Sequence, residues 1–263
     1  MQDFHVHSNY SDGSFLQRMV NAAERAGLEG VGFADHCAVS SRDGIRKMRR
    51  AYGFNLDLTY ERRRQAIDGV REKSSIEVYD AVEMDYDPRD ETEIRDFLES
   101  AEFDYAIGSV HGVDGKNVQV PANFTALTDD ERDRVVDAYV DQLVSLIESE
   151  LFDVAAHVDL LTRTPPLRGR FDETQYRRVA RAFAESRTIP EINAGRAVTD
   201  EEILHPAEPF LEVLVEHDVA FTLGTDSHAP TEIGPRADFL ADVIDTNDID
   251  PTVPPSLETM TRH

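Results

Sequence analysis

Short apolar runs alternating with longer amphipathic stretches constrain this chain more than any other feature. Residues 4–6, 30–33, 76–82, 105–110, 152–156, 189–192 and 219–223 read as strands. Residues 14–26, 59–73, 90–102, 129–150, 173–186, 206–217 and 236–245 read as helices, with apolar residues at helical spacing in Val135, Val136, Tyr139, Val140, Leu143 and Ile147. A strand that leads through a helix into the next strand pairs with it in parallel. Seven such units predict an α/β fold whose sheet closes, or nearly closes, into a barrel. Thr128-Asp129-Asp130-Glu131 reads as a helix start, and Thr59 or Asp57 as the cap of an earlier helix. No Gly/Ser/Pro-rich linker divides the chain, so residues 1–247 are expected to form one domain. A loosely packed tail, 248–263, with Pro251, Pro254 and Pro255, is expected to follow it. Residues 112–127 and 160–171 read as polar loops over a site.

The charge balance narrows the partners. The chain has 263 residues, 52 of them acidic and 27 basic, for a formal net charge of −25. Lys47, Lys73 and Lys116 are its lysines. Such a charge repels long nucleic acid and anionic membranes unless a basic patch intervenes, and the one candidate is Arg46-Lys47-Met48-Arg49-Arg50. Acid-rich, lysine-poor composition on a foldable chain suggests adaptation to high intracellular salt. No apolar run approaches the roughly 20 residues that span a bilayer, and no signal peptide is read, so a cytoplasmic setting is expected. Cys37, the lone cysteine, rules out an internal disulfide and a thiolate-rich zinc site.

Six of the nine histidines fall at or just after the C-terminal end of an expected strand: His5 and His7 in HVHSNYSDG, His36 in FADHC, His111 in GSVHG, His157 in AAHVD, and His228 in GTDSHA. Glu83 in VYDAVEMDY and Asp226 in GTDSHA occupy the same kind of position. In a parallel barrel all strand C-termini open onto one face, so these residues converge in space. His5 and His7, two apart on a strand, share a face, and Asp12 follows just past the turn. One histidine beside a strand is ordinarily a hydrogen-bonded structural residue, and that reading is kept for His205, His217 and His263. Six in one topological position, with carboxylates and without cysteine, form a metal-site pattern. Nine candidate ligands are too many for one ion with an open position, which points to two or three divalent cations. Imidazole suits zinc, iron and manganese alike. Cys37 reads as a buried small hydrophobe rather than a ligand, and Tyr10 as a pocket or core aromatic.

HVHSNYSDG, GFADH, the Glu83 strand, GSVH, AAHVDL, EINAG and GTDSHAP, in that order, resemble the polymerase-and-histidinol-phosphatase (PHP) superfamily over nearly the whole chain. The resemblance implies a distorted (β/α)7 TIM-like barrel with a trinuclear metal site. Carried over by position, His5, His7, Glu83 and Asp226 would serve one ion. Glu83 would bridge to a second, completed by His111 and His157, and Asp12, His36 and His228 would hold a third. Aspartate at position 12, in an SDG setting, resembles the histidinol-phosphatase branch. So does EINAG followed by Arg196, an arginine expected to hold a substrate phosphate. Arg163 is a second phosphate candidate, weighed against a solvated loop charge.

The expected activity is therefore that of a metal-dependent phosphomonoesterase, with L-histidinol phosphate as the implied substrate and a role in histidine biosynthesis. Water activated by the metals would attack phosphorus, with Asp226, Glu83 and His228 nearest the chemistry. A phosphoesterase acting on nucleoside phosphates or short oligonucleotides is the alternative. Two others are disfavoured. A metal-binding module without catalysis would lack ligands, and an amidohydrolase-type barrel usually has a lysine at a strand end, where none of the three lies.

Overall fold

The computed structural model describes residues 1–260, so His263 lies outside the described residues. Strands β1 (Gln2–Val6), β2 (Gly30–Cys37), β3 (Glu77–Asp85), β4 (Tyr105–Ser109), β7 (Val154–Ala155), β8 (Ile189–Arg196) and β10 (Thr222–Gly224) form one parallel sheet in that order. The two edge strands also meet. Val6 bridges Ser227 in parallel, His7 N donates to Ser227 O at 3.0 Å, and Asp226 N donates to His5 O at 2.7 Å. The sheet is thus a seven-stranded barrel of TIM type with a short seam, matching the expected number and order of strands. Short additions sit on it: a hairpin of β5 (Gly112–Val113) and β6 (Lys116–Asn117), and β9 (Ile203–His205), antiparallel to β8.

Outside the sheet run α1 (Leu16–Arg25), α3 (Tyr60–Arg71), α4 (Glu91–Ala101), α5 (Asp129–Glu148), α6 (Glu173–Ala184), α7 (Glu208–Glu216) and α8 (Pro230–Asn247). Helices α1, α3 and α8 cover β1–β3 through Met19, Val20, Ile67 and Ile233 against Val6, Val31 and Phe33. Helix α5 buries Val136, Tyr139, Val140, Leu143 and Ile147, the stripe read from its periodicity. Thr128 caps it: its hydroxyl accepts from Glu131 N, and Glu131 Oε2 accepts from Thr128 N at 2.8 Å. Thr59 does precede α3, but its hydroxyl donates to Asn55 O and does not cap the helix.

One helix is absent from the sequence reading and one expectation is corrected. The basic run lies on a further helix, α2 (Asp43–Tyr52), which has no buried residue and so carries no apolar periodicity to betray it. The tail is packed rather than loose. Its described part closes with α9 (Pro255–Met260), with Leu257 7% exposed against a barrel-interior cluster that includes Phe4, Ala34, Tyr105 and Ile189. Ser256 donates from N and Oγ to Asp153 Oδ1, at 3.0 and 2.6 Å. The barrel is therefore plugged at the mouth where its strands begin. Its interior is tightly filled there, since Tyr105 donates to Phe4 O across the barrel and a Cβ on Gly32 would collide with the Tyr105 hydroxyl.

Candidate metal centre

The opposite mouth gathers the histidines. In β1 the register against β2 slips by one residue between Asp3 and Val6. Phe4 lines the barrel interior, while Val6, two residues on, packs outside beneath α1 and α8. A bulge of this kind re-aims side chains without breaking the strand, and here His5 and His7 both turn inward. The β2–β3 register sets His36 directly beside Glu83. His157 and Asp226 follow their strands in the left-handed region, at φ 28° and 51°, a conformation uncommon outside glycine and found at functional sites.

The loop from Ser8 to Gly13, which carries Asp12, is held from behind by a buried carboxylate. Asp35 accepts from Ser8 N, Ser8 Oγ and Ser11 Oγ, each at 2.7 Å, and from Arg63 Nη1 at 2.9 Å. Arg63 is fully buried and also reaches Asp80 Oδ1 at 2.6 Å. Burial acts to raise the Asp35 carboxyl, but Arg63 and the serine hydroxyls hold it below the usual carboxylate range.

Glu83 is the hub, 1% exposed and ringed by five imidazoles. Its Oε2 faces His36 Nδ1 at 2.7 Å, His5 Nε2 at 3.5 Å and His7 Nε2 at 3.7 Å. Its Oε1 faces His157 Nε2 at 3.0 Å and His111 Nε2 at 3.4 Å. Asp226 Oδ1 lies 3.3 Å from His7 Nε2, and Asp12 Oδ1 lies 3.4 Å from His228 Nε2. Three sets have donor atoms within 4.8 Å of one another: His5, His7 and Glu83; His36, Glu83 and His111; and His7, Asp12, His36 and His228. All nine candidate ligands thus meet at one mouth of the barrel. These sets follow the division implied by the resemblance only in part: His7 and His36 each stand in two sets, and His157 and Asp226 stand in none, meeting the cluster through Glu83 and His7.

The donors fit cations. His5 Nε2, His7 Nε2 and Glu83 Oε2 are buried polar atoms without a hydrogen-bond partner, an arrangement that a metal ion satisfies and an apolar core does not. Their outward nitrogens are oriented by other groups, as metal-ligating histidines require. His5 Nδ1 meets Glu191 Oε2 at 2.8 Å, His111 Nδ1 meets Asp85 Oδ1 at 2.5 Å, and His7 Nδ1 lies 3.4 Å from Ser11 Oγ. Burial would lift the Glu83 carboxyl, but His36, His111 and His5 hold it well below its ordinary range. Burial would lower His36, but Glu83 and Asp12 raise it to about 10. His7 is pushed down to about 4 by burial and by the His228 and His36 rings. The cluster draws positive charge to Glu83 and is N/O-only, a donor set suited to zinc, manganese or iron.

The remaining candidates divide. Arg163, 10% exposed, reaches the centre: its Nη2 lies 3.4 Å from Asp226 Oδ2, and its Nε donates to His205 Nε2 at 2.9 Å. Arg196 ends β8 exposed and pairs with Glu201 at 3.4 Å. Cys37 is buried, and burial pushes its thiol well up. Tyr10 is partly buried against the core. His217 bonds Val213 O within its own helix, a structural role as expected. His205 is also structural, fully buried with Nδ1 2.6 Å from Asp159, but it is the residue that fixes Arg163. Glu191, Asp85, Asp35 and Asp159, which orient ligands or Arg163, escaped the sequence reading. Each sits inside a quoted motif, and only spatial pairing reveals its partner.

The barrel with this histidine–carboxylate mouth is that of the PHP domain family. The family's model matches residues 3–195, and the chain belongs to that family. Over 254 residues it is 24% identical to a protein of Deinococcus radiodurans named "Probable histidinol-phosphatase", covering 92% of each chain. Among solved structures it resembles a histidinol phosphate phosphatase from Lactococcus lactis complexed with zinc, L-histidinol and phosphate. That match has a TM-score of 0.72 and 23% identity, and covers 95% of this chain and 94% of the other.

Proposed function

We propose that this protein is a metal-dependent phosphomonoesterase that hydrolyses L-histidinol phosphate. The observation that carries the reading is Glu83, a buried carboxylate whose two oxygens face different sets of histidines, the geometry of a group that bridges cations. Divalent ions held there would supply Lewis-acid charge to a phosphoryl group and lower the pKa of water. The nine candidate ligands would hold those ions, with Glu191, Asp85 and Ser11 orienting the rings of His5, His111 and His7. Arg163 stands beside Asp226 with its guanidinium anchored on His205, and would grip a phosphoryl oxygen by a charge-assisted hydrogen bond. Arg196 is a second candidate for the phosphate, exposed and paired with Glu201. The likeness to full-length proteins named as histidinol phosphatases supports the substrate. Metal-loaded protein should hydrolyse L-histidinol phosphate in preference to nucleoside monophosphates, and should lose activity to a chelator and regain it with added metal. Equal or better turnover of nucleotides would overturn the substrate assignment.

A second reading, action on nucleoside phosphates or short oligonucleotides, rests on α2. Arg46, Arg49 and Arg50 line an open depression of about 570 Å³ with Asn9 and Tyr10. Hydrolysis of short oligonucleotides that falls when Arg46 and Arg50 are replaced by Ala would favour it.

A further inference from the structure

A row of near-parallel rings leads from the metal centre into a cleft. The Phe54 ring lies 6.2 Å from that of His36, tilted by 20°, and Tyr52 lies 5.8 Å beyond Phe54, tilted by 10°. Tyr52, at the end of α2, is 54% exposed, an aromatic that the core does not use. Both rings line a cavity of about 310 Å³ together with His36 and His111. An adjoining cavity of about 320 Å³ shares Tyr52, Met48, Asp85 and His111 with it.

Asp85 faces both cavities. Its Oδ1 accepts from His111, and its Oδ2 has no partner among the described residues. The other charges of the lining are largely cancelled: Arg49 pairs with Asp57 at 2.9 Å, and Arg42 pairs with Asp87 and Asp90 at 2.9 and 2.5 Å. Lys116 on the outer cavity and Asp12, a candidate ligand on the inner one, are the exceptions. A cleft with ring faces on one wall and a half-used carboxylate on another favours a flat cationic group, through stacking and cation–π attraction.

We propose that Tyr52 and Phe54, with Asp85 facing them in the same cleft, form the subsite for the leaving group, and that they select phosphate esters whose alcohol carries a planar ring and an ammonium. This rests on the phosphomonoesterase reading and sharpens it, since Tyr52 and Phe54 lie on α2 and the turn after it, outside the metal centre.

The test is F54A, F54L and Y52A, with folding checked by circular dichroism and metal content by elemental analysis. The kcat/KM ratio of L-histidinol phosphate to glycerol 1-phosphate should fall about tenfold in F54A and Y52A. F54L, which keeps apolar bulk but no ring, should show the same fall. An unchanged ratio, or a ratio restored by F54L, overturns the subsite while leaving the phosphatase reading intact. Hydrolysis of neither ester by metal-loaded wild-type protein would sink the phosphatase reading. The subsite is then decided by titrating L-histidinol into that protein by calorimetry. Binding that weakens about tenfold in F54A upholds it, and absent or unaltered binding overturns it.

Discussion

Glu83 and Glu191 are both buried carboxylates beside His5, yet their removal should have different signatures. Glu83 faces five rings, so Glu83→Gln should cost more than the roughly 10–100-fold that losing an outer partner costs, with metal content falling in elemental analysis. Glu191→Gln keeps the shape but weakens the grip on His5 Nδ1, and it should cost about 10–100-fold in metal affinity, measured by competition with a chromophoric chelator. Arg163→Met should raise KM for a phosphomonoester more than it lowers kcat, and His205→Phe should do so less strongly by freeing the guanidinium. At this scale the gathering of the candidate ligands was legible, because HxH follows the period of a strand and the other histidines end strands. Their supporting acids were not. Asp35 in FADH and Glu191 in EINAG read as strand interior until Ser8, Arg63 and His5 are seen to face them.

Among elements, the strands and outer helices were legible wherever burial imposes a period. Helix α2 was not, since it buries nothing, and the bulge in β1 was not, since a one-residue slip exists only relative to β2. The plug was misread for a related reason. Leu257 and Pro254 are buried and Val253 is partly packed beside them, a set too sparse and irregular to form a pattern. Leu257→Ala should destabilise the protein by about 2–3 kcal/mol, a fall of roughly 4–12 °C in Tm by calorimetry, without changing metal stoichiometry. Arg63 joins α3 to two strands through Asp35 and Asp80. Arg63→Met leaves Asp35 buried without a cation and Asp80 with Arg64 alone, and should cost about 3–5 kcal/mol in a denaturant melt.

For the whole molecule, charge dominates. With a net charge of −25, the surface repels itself in dilute buffer, and the exposed Arg–Asp pairs such as Arg170–Asp133 offset little of this. Raising KCl from about 0.1 to about 2 M, where the screening length falls from about 10 Å to a few ångströms, should increase both Tm and activity. A Tm that is independent of salt would refute the adaptation to high salt read from composition.

The seam where β1 meets the segment after β10 sets the order of assembly. Asp3 holds Thr225 across 222 positions of sequence, and Ser227 pairs with Val6. Contacts this distant along the chain are among the slowest to form, and His7 meets Asp226 only once this one exists. Refolding should therefore show metal uptake lagging behind the recovery of helix signal. Ions added early should bind weakly or to partial sets of ligands, so that capture of the full complement marks the moment the barrel shuts.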